Sequence, residues 1–126
     1  MPENTVLIPG PDHPISIERH DGRVIVRFAG KVVADTRDAL TLREASYPPV
    51  FYVPRKDADS ALLERTDTAT YCPYKGKAAY FSINVAGQRA ADAIWTYEVP
   101  HLAVAAIKDH LAFYPDRVDS IEGGAG

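Results

Sequence analysis

Ile15-Ser16-Ile17-Glu18-Arg19-His20-Asp21-Gly22-Arg23-Val24-Ile25-Val26-Arg27-Phe28 is the stretch that decides the fold class. Ile15 to Arg19 alternates apolar and polar residues, the period of a strand with one buried face. Asp21-Gly22 is a short-range hairpin signal, because glycine tolerates the positive φ of a type I′ turn. Arg23 to Phe28 returns as a second strand, and Ala29-Gly30 turns the chain into Lys31-Val32-Val33-Ala34-Asp35. Residues 15–35 therefore predict a three-stranded antiparallel meander.

Similar signals continue outward. Upstream, Pro9-Gly10-Pro11-Asp12-His13-Pro14 forbids helix. Downstream, Leu40 to Glu44 alternates, and Val50-Phe51-Tyr52-Val53 is a β-branched and aromatic run between prolines. Asp57 to Leu63 carries helix formers behind acids and predicts one or two helical turns. Thr68 to Cys72 reads as a strand, Pro73-Tyr74-Lys75-Gly76 as a turn, and Lys77 to Val85 as a long strand closed by Ala86-Gly87. Ala93 to Val99 is another strand, stopped at Pro100, and His101 to Lys108 is a helical candidate. Leu111 to Tyr114 and Val118 to Ile121 predict a final hairpin around Pro115-Asp116. The expectation is a mainly β fold: a small single domain of antiparallel strands with one or two short helices, over residues 1–126. Its core spans about 10–121, and Glu122 to Gly126 reads as a frayed glycine-rich tail.

With 126 residues, 46% of them hydrophobic and 25% charged, the chain has the composition of an ordinary globular domain, which excludes wholesale disorder. The single cysteine excludes a disulfide framework within the chain and a cysteine-based zinc knot. A net charge of −3 and dispersed basic residues argue against nucleic acid as a partner. Met1-Pro2-Glu3-Asn4 lacks the features of a secretory leader, and Leu102 to Ile107 is too short to cross a bilayer. A cytoplasmic location with no membrane partner is expected.

Ten of the twelve aromatic residues lie between Phe51 and Tyr114. Period two puts Phe81, Ile83 and Val85 on one face and Tyr80, Ser82 and Asn84 on the other. Trp95, Tyr97 and Val99 likewise share a face opposite Thr96 and Glu98. Those rings are either core or the wall of a ligand cavity.

Cys72, three residues before Lys75, is the one candidate thiolate; its alternative is a small buried apolar residue. No histidine adjoins it to complete a dyad. Lys75 in its turn is an anion-binding candidate or a solvated surface lysine, and the P-loop spacing is absent. Asp57-Ala58-Asp59 matches a D-x-D metal pattern, but helix capping explains it as well. The four histidines show no metal-ligand spacing, so no metal is expected. His13 is a loop-surface residue or a site residue. Glu44, Tyr52 and Arg55 surround the Pro48-Pro49…Pro54 segment and either orient a polar ligand or form a Glu44–Arg55 ion pair.

Pro49-Val50-Phe51-Tyr52-Val53-Pro54-Arg55-Lys56-Asp57, Cys72-Pro73-Tyr74-Lys75-Gly76-Lys77-Ala78-Ala79-Tyr80, Trp95-Thr96-Tyr97-Glu98-Val99-Pro100 and Ala112-Phe113-Tyr114 together resemble a bacterial family, domain of unknown function 427. The resemblance covers roughly residues 10–121, including Gly10-Pro11-Asp12-His13-Pro14-Ile15. It implies a β-tent-like fold, shared with methionine sulfoxide reductase B and the ligand-binding domain of cereblon. The zinc-bearing proteins of that fold use two cysteine pairs, which this chain lacks. The label nucleotidyltransferase is attached to the family in places, and no motif here supplies that chemistry. Glu44, Tyr52, Arg55, Asp57, Cys72, Lys75, Tyr80, Trp95 and Tyr97 match the family's motif positions.

The leading expectation is a small polar or anionic ligand bound in an aromatic-lined pocket by Glu44, Tyr52, Arg55, Trp95 and Tyr97, without a cofactor. The alternatives are an enzyme acting through Cys72, Lys75 and Tyr80, and an interaction module that forms a homodimer.

Overall fold

The computed structural model describes residues 5–124. The Met1–Asn4 stretch read for a leader, and Ala125 and Gly126 of the expected tail, lie outside the described residues. Ten strands run in order: β1 (Ile15–Arg19), β2 (Arg23–Phe28), β3 (Lys31–Thr36), β4 (Leu40–Glu44), β5 (Val50–Pro54), β6 (Leu63–Cys72), β7 (Gly76–Val85), β8 (Gln88–Tyr97), β9 (His110–Phe113) and β10 (Ser120–Gly124). They form a seven-stranded sheet, β1-β4-β5-β9-β8-β7-β6, and a three-stranded sheet, β10-β2-β3, with every pairing antiparallel. The mainly β expectation holds. Helical structure among the described residues is limited to 3-10 turns at Arg55–Asp57, Ser60–Leu62, Leu102–Ile107 and Pro115–Arg117. None of these helical segments is long and apolar enough to cross a membrane.

Two expected hairpins are not made, and core packing explains both. β1 pairs with β4, placing Ile17 opposite Leu42, while β2 pairs with β3 and β10. Ile15 and Ile17 pack with Leu42 and Tyr52, whereas Val24 and Val26 belong to a separate core with Val33, Val53, Ile83 and Ile94. Gly22 has a positive φ and Asp21 does not, so the pair cannot form the I′ turn that would fold β2 back on β1. The chain instead passes from one sheet to the other. Ala29-Gly30, with φ of 51° and 76°, does close the expected β2–β3 hairpin.

The C-terminal hairpin fails in the same way. β9 lies between β5 and β8, and the turn at Pro115–Arg117 carries the chain across to β10, which pairs with β2. The glycine-rich tail is thus a strand as far as Gly124. Gly123 sits against the Phe51 ring so closely that any Cβ would collide with Cε2 and Cζ. A side chain there would push the ring away, so the glycine is a packing requirement.

The seven-stranded sheet carries a core on each face. One face packs against the three-stranded sheet through Val24, Val26, Val53, Ile83, Ile94 and Leu111, and full burial of such a side chain stabilises by about 1.5–3 kcal/mol. The other face gathers Leu42, Tyr52, Tyr80, Tyr97 and Ala112, covered by Val104 and Ile107 of the turn at Leu102–Ile107. Val104 leaves helical geometry at φ −126°, so the helix expected over His101 to Lys108 is broken there. The period-two assignment of Tyr80 against Phe81, Ile83 and Val85 matches this division. A bulge in β8, which sets Phe81 opposite Ile94 but Ile83 opposite Ala90, interrupts the alternation. Ser82 is wholly buried there and accepts a hydrogen bond from Asp92 N at 2.9 Å.

Candidate functional site

The second face holds a hollow of about 220 Å³. Glu44 ends β4, Tyr52 lies in β5, Tyr80 in β7, Trp95 and Tyr97 in β8, and Tyr114 follows β9; all line it, with Lys75 at one end. Ala112 of β9 lies directly opposite Trp95 and is fully buried. It packs within the tyrosine cluster and does not line the hollow. Trp95 Nε1 donates to Tyr52 Oη at 3.3 Å, with the two rings edge to face at 87°.

Lys75 is placed by the turn between β6 and β7, where its amide donates to the Cys72 carbonyl at 3.2 Å. Its ammonium donates to Glu44 Oε1, and His13 Nε2 lies 2.7 Å from Glu44 Oε2. The His13 ring stacks on Tyr74 at 3.9 Å, so the proline-rich segment and the C-P-Y-K-G turn clasp the same acid from two sides. The Lys75 and Glu44 side chains are only 10% and 14% exposed. Burial would raise the Glu44 carboxyl, but hydrogen bonds from Lys75 and His13 outweigh it and hold the group below the usual carboxylate range. Glu44 therefore stays ionised at neutral pH.

The hydroxyls of the hollow are donors. Burial pushes the Tyr52 and Tyr97 phenols well above the ordinary tyrosine value, and burial with the Tyr80 hydroxyl pushes Tyr114 up to about 12. Tyr80 Oη lies 2.9 Å from Thr70 Oγ1 and 3.4 Å from Tyr114 Oη. Tyr97 is 5% exposed, and its hydroxyl has no hydrogen-bond partner among the described residues. Two of the three Lys75 N–H bonds and the Tyr52 O–H likewise have no acceptor among those residues. The wall thus offers unspent donors at Lys75, Tyr52 and Tyr97, while its one carboxylate, Glu44, is already met by Lys75 and His13.

Eight of the sequence candidates divide sharply. Glu44, Tyr52, Lys75, Tyr80, Trp95 and Tyr97 come together around one hollow. Cys72 packs against the tyrosine cluster without lining it. The Glu44–Arg55 pair is not made either: Arg55 binds Glu98 at 2.8 Å and lies over Phe81, on the face toward the other core. Val99 is 83% exposed and leaves the aromatic row.

Asp57 accepts from Thr36 Oγ1 at 2.6 Å, and Asp59 caps the following turn through Ala61 N. No group of three or more metal-ligating side chains gathers among the described residues. Tyr114 and Thr70 were missed as site residues. Tyr114 shares its strand period with Ala112, but only the β8–β9 register brings the two beside Trp95.

No curated protein matches the chain. A family model described as Domain of unknown function (DUF427) matches residues 16–124, which span the strands that build the hollow, and the chain belongs to that family.

Proposed function

We propose that this is a bacterial cytoplasmic domain that binds a small ligand bearing oxygen acceptors, of which a carboxylate is the simplest, in the tyrosine- and tryptophan-lined hollow. The observation that carries this reading is the surplus of donors at Lys75, Tyr97 and Tyr52, nearly buried residues that all line one hollow. The Tyr97 hydroxyl is engaged by no protein group among the described residues and faces the hollow, so an accepting ligand can take its hydrogen bond without breaking one inside the protein. The aromatic rings supply apolar walls that fix the ligand's plane. The catalytic alternative through Cys72, Lys75 and Tyr80 has less support, because Cys72 does not line the space.

Trp95 is the one tryptophan of the chain, so its emission reports on the hollow directly. Titration with propionate against a chloride control at equal ionic strength should change that emission saturably. Tyr97→Phe should weaken the response about tenfold, the worth of one hydrogen bond to a charged acceptor. An unsaturable response, or equal midpoints in the two proteins, would contradict the proposal.

A further inference from the structure

We infer that the ligand is an amphiphile: a carboxylate whose apolar arm passes Trp95 into a second hollow between the two sheets. This rests on the carboxylate reading of the polar hollow. The second hollow holds about 310 Å³ and is walled by Val24 and Val26 of β2, Phe51 and Val53 of β5, Phe113 of β9 and Ile121 of β10. No titratable side chain lines it. Two residues, Val50 and Trp95, belong to the walls of both spaces, and β5 pairs with β9 only at Val53 and Pro54, so the hollows, on opposite faces of the sheet, adjoin where those two strands are unpaired beside the indole. Trp95 turns its Nε1 toward Tyr52 on the polar side, while its ring also walls the apolar side.

Size and chemistry both favour one ligand occupying the two. The polar hollow, at about 220 Å³, falls below the roughly 300–1,000 Å³ typical of sites that enclose a drug-sized molecule. The apolar hollow, at about 310 Å³, reaches that range by itself and supplies the room that an apolar arm needs. Water in the second hollow finds no polar side chain to bond, whereas a hydrocarbon arm restores contacts that the facing sheets do not make. Donors at one end and hydrocarbon walls at the other fix the orientation, with the carboxylate toward Lys75 and the arm toward Ile121.

The test is a titration of Trp95 emission in the full chain with straight-chain carboxylates from acetate to hexanoate. Each added methylene should tighten binding about fourfold until the arm fills the hollow. Tyr97→Phe should weaken every member by one common factor. Ile121→Phe, a half-buried position on the second hollow, should fill that space and abolish the dependence on chain length. Saturable binding with equal midpoints across the wild-type series overturns the inference and leaves the carboxylate reading standing, even if Ile121→Phe does not fold. Wild-type increments that persist in a folded Ile121→Phe overturn it as well. Absence of a saturable response to any carboxylate overturns both.

Discussion

Glu44 and Glu98 each sit between two basic side chains, yet they serve different ends. Glu98 takes a two-point contact from Arg65 at 2.8 and 2.9 Å and a third bond from Arg55 at 2.8 Å. Hydrogen bonding to Arg65 is the main reason its carboxyl is held at about 2. The cluster is open to solvent: the side chains of Arg65 and Glu98 are 54% and 34% exposed. Glu44 takes one bond from Lys75 and one contact from His13, and both it and Lys75 are nearly buried. The first acid is saturated on a surface where ion pairs contribute little. The second leaves its lysine with spare donors near the Tyr97 hydroxyl, which has no partner among the described residues. What distinguishes the candidate site is an ion pair held nearly out of water beside a Tyr97 hydroxyl that faces a hollow, whereas the one buried unpaired side-chain nitrogen among the described residues, Arg55 Nε, lies in the Glu98 cluster.

Breaking the buried pair should have the largest effect. Lys75→Met strands Glu44 without its main partner and should cost about 3 kcal/mol in denaturant-induced unfolding, with loss of the Trp95 response to carboxylates. Tyr97→Phe sharpens the contrast, because it removes a donor that no protein group uses. It should weaken carboxylate binding about tenfold while unfolding stability holds or rises by up to about 1 kcal/mol.

Acid separates the two glutamates next. Both carboxyls are lowered by folding, so their stabilisation is complete above the unfolded value of 4.5 and is lost as pH falls through the folded value. Stability should therefore fall from about pH 4.5 toward about pH 2, where Glu98 titrates. Glu44→Gln should flatten the upper part of that limb in pH-dependent denaturation. The smallest effect belongs to the surface. Arg65→Ala should leave unfolding stability almost unchanged, with any loss smaller still in high salt, and leave the Trp95 titration unchanged.

Most strands were legible because alternation and the proline and glycine breaks are local signals. Their partners were not. Ile17 and Val24 look alike in sequence, and nothing near Asp21-Gly22 says that one packs with Leu42 and the other with Val33. Gly123 read as fraying, since the Phe51 ring it accommodates lies far away in the chain. The site shows the same limit. Lys75, Tyr80, Trp95 and Tyr97 were singled out by residue type and family resemblance, and they do share one space. Arg55 sits close to Tyr52 in sequence but faces Glu98 and Phe81, because the chain turns after Pro54 toward the opposite core. His13 became informative only once its bond to Glu44 and its stacking on Tyr74 were visible.

The central claim is that Tyr97 spends its hydroxyl on a ligand and on nothing in the protein. Thermal unfolding of wild type and Tyr97→Phe, each with and without propionate, tests it most directly, since a ligand that binds only the folded state raises the midpoint. The predicted result is an equal or higher midpoint for Tyr97→Phe without propionate, and a larger propionate-induced rise for wild type. A lower midpoint for the bare variant together with equal rises in both proteins would contradict it.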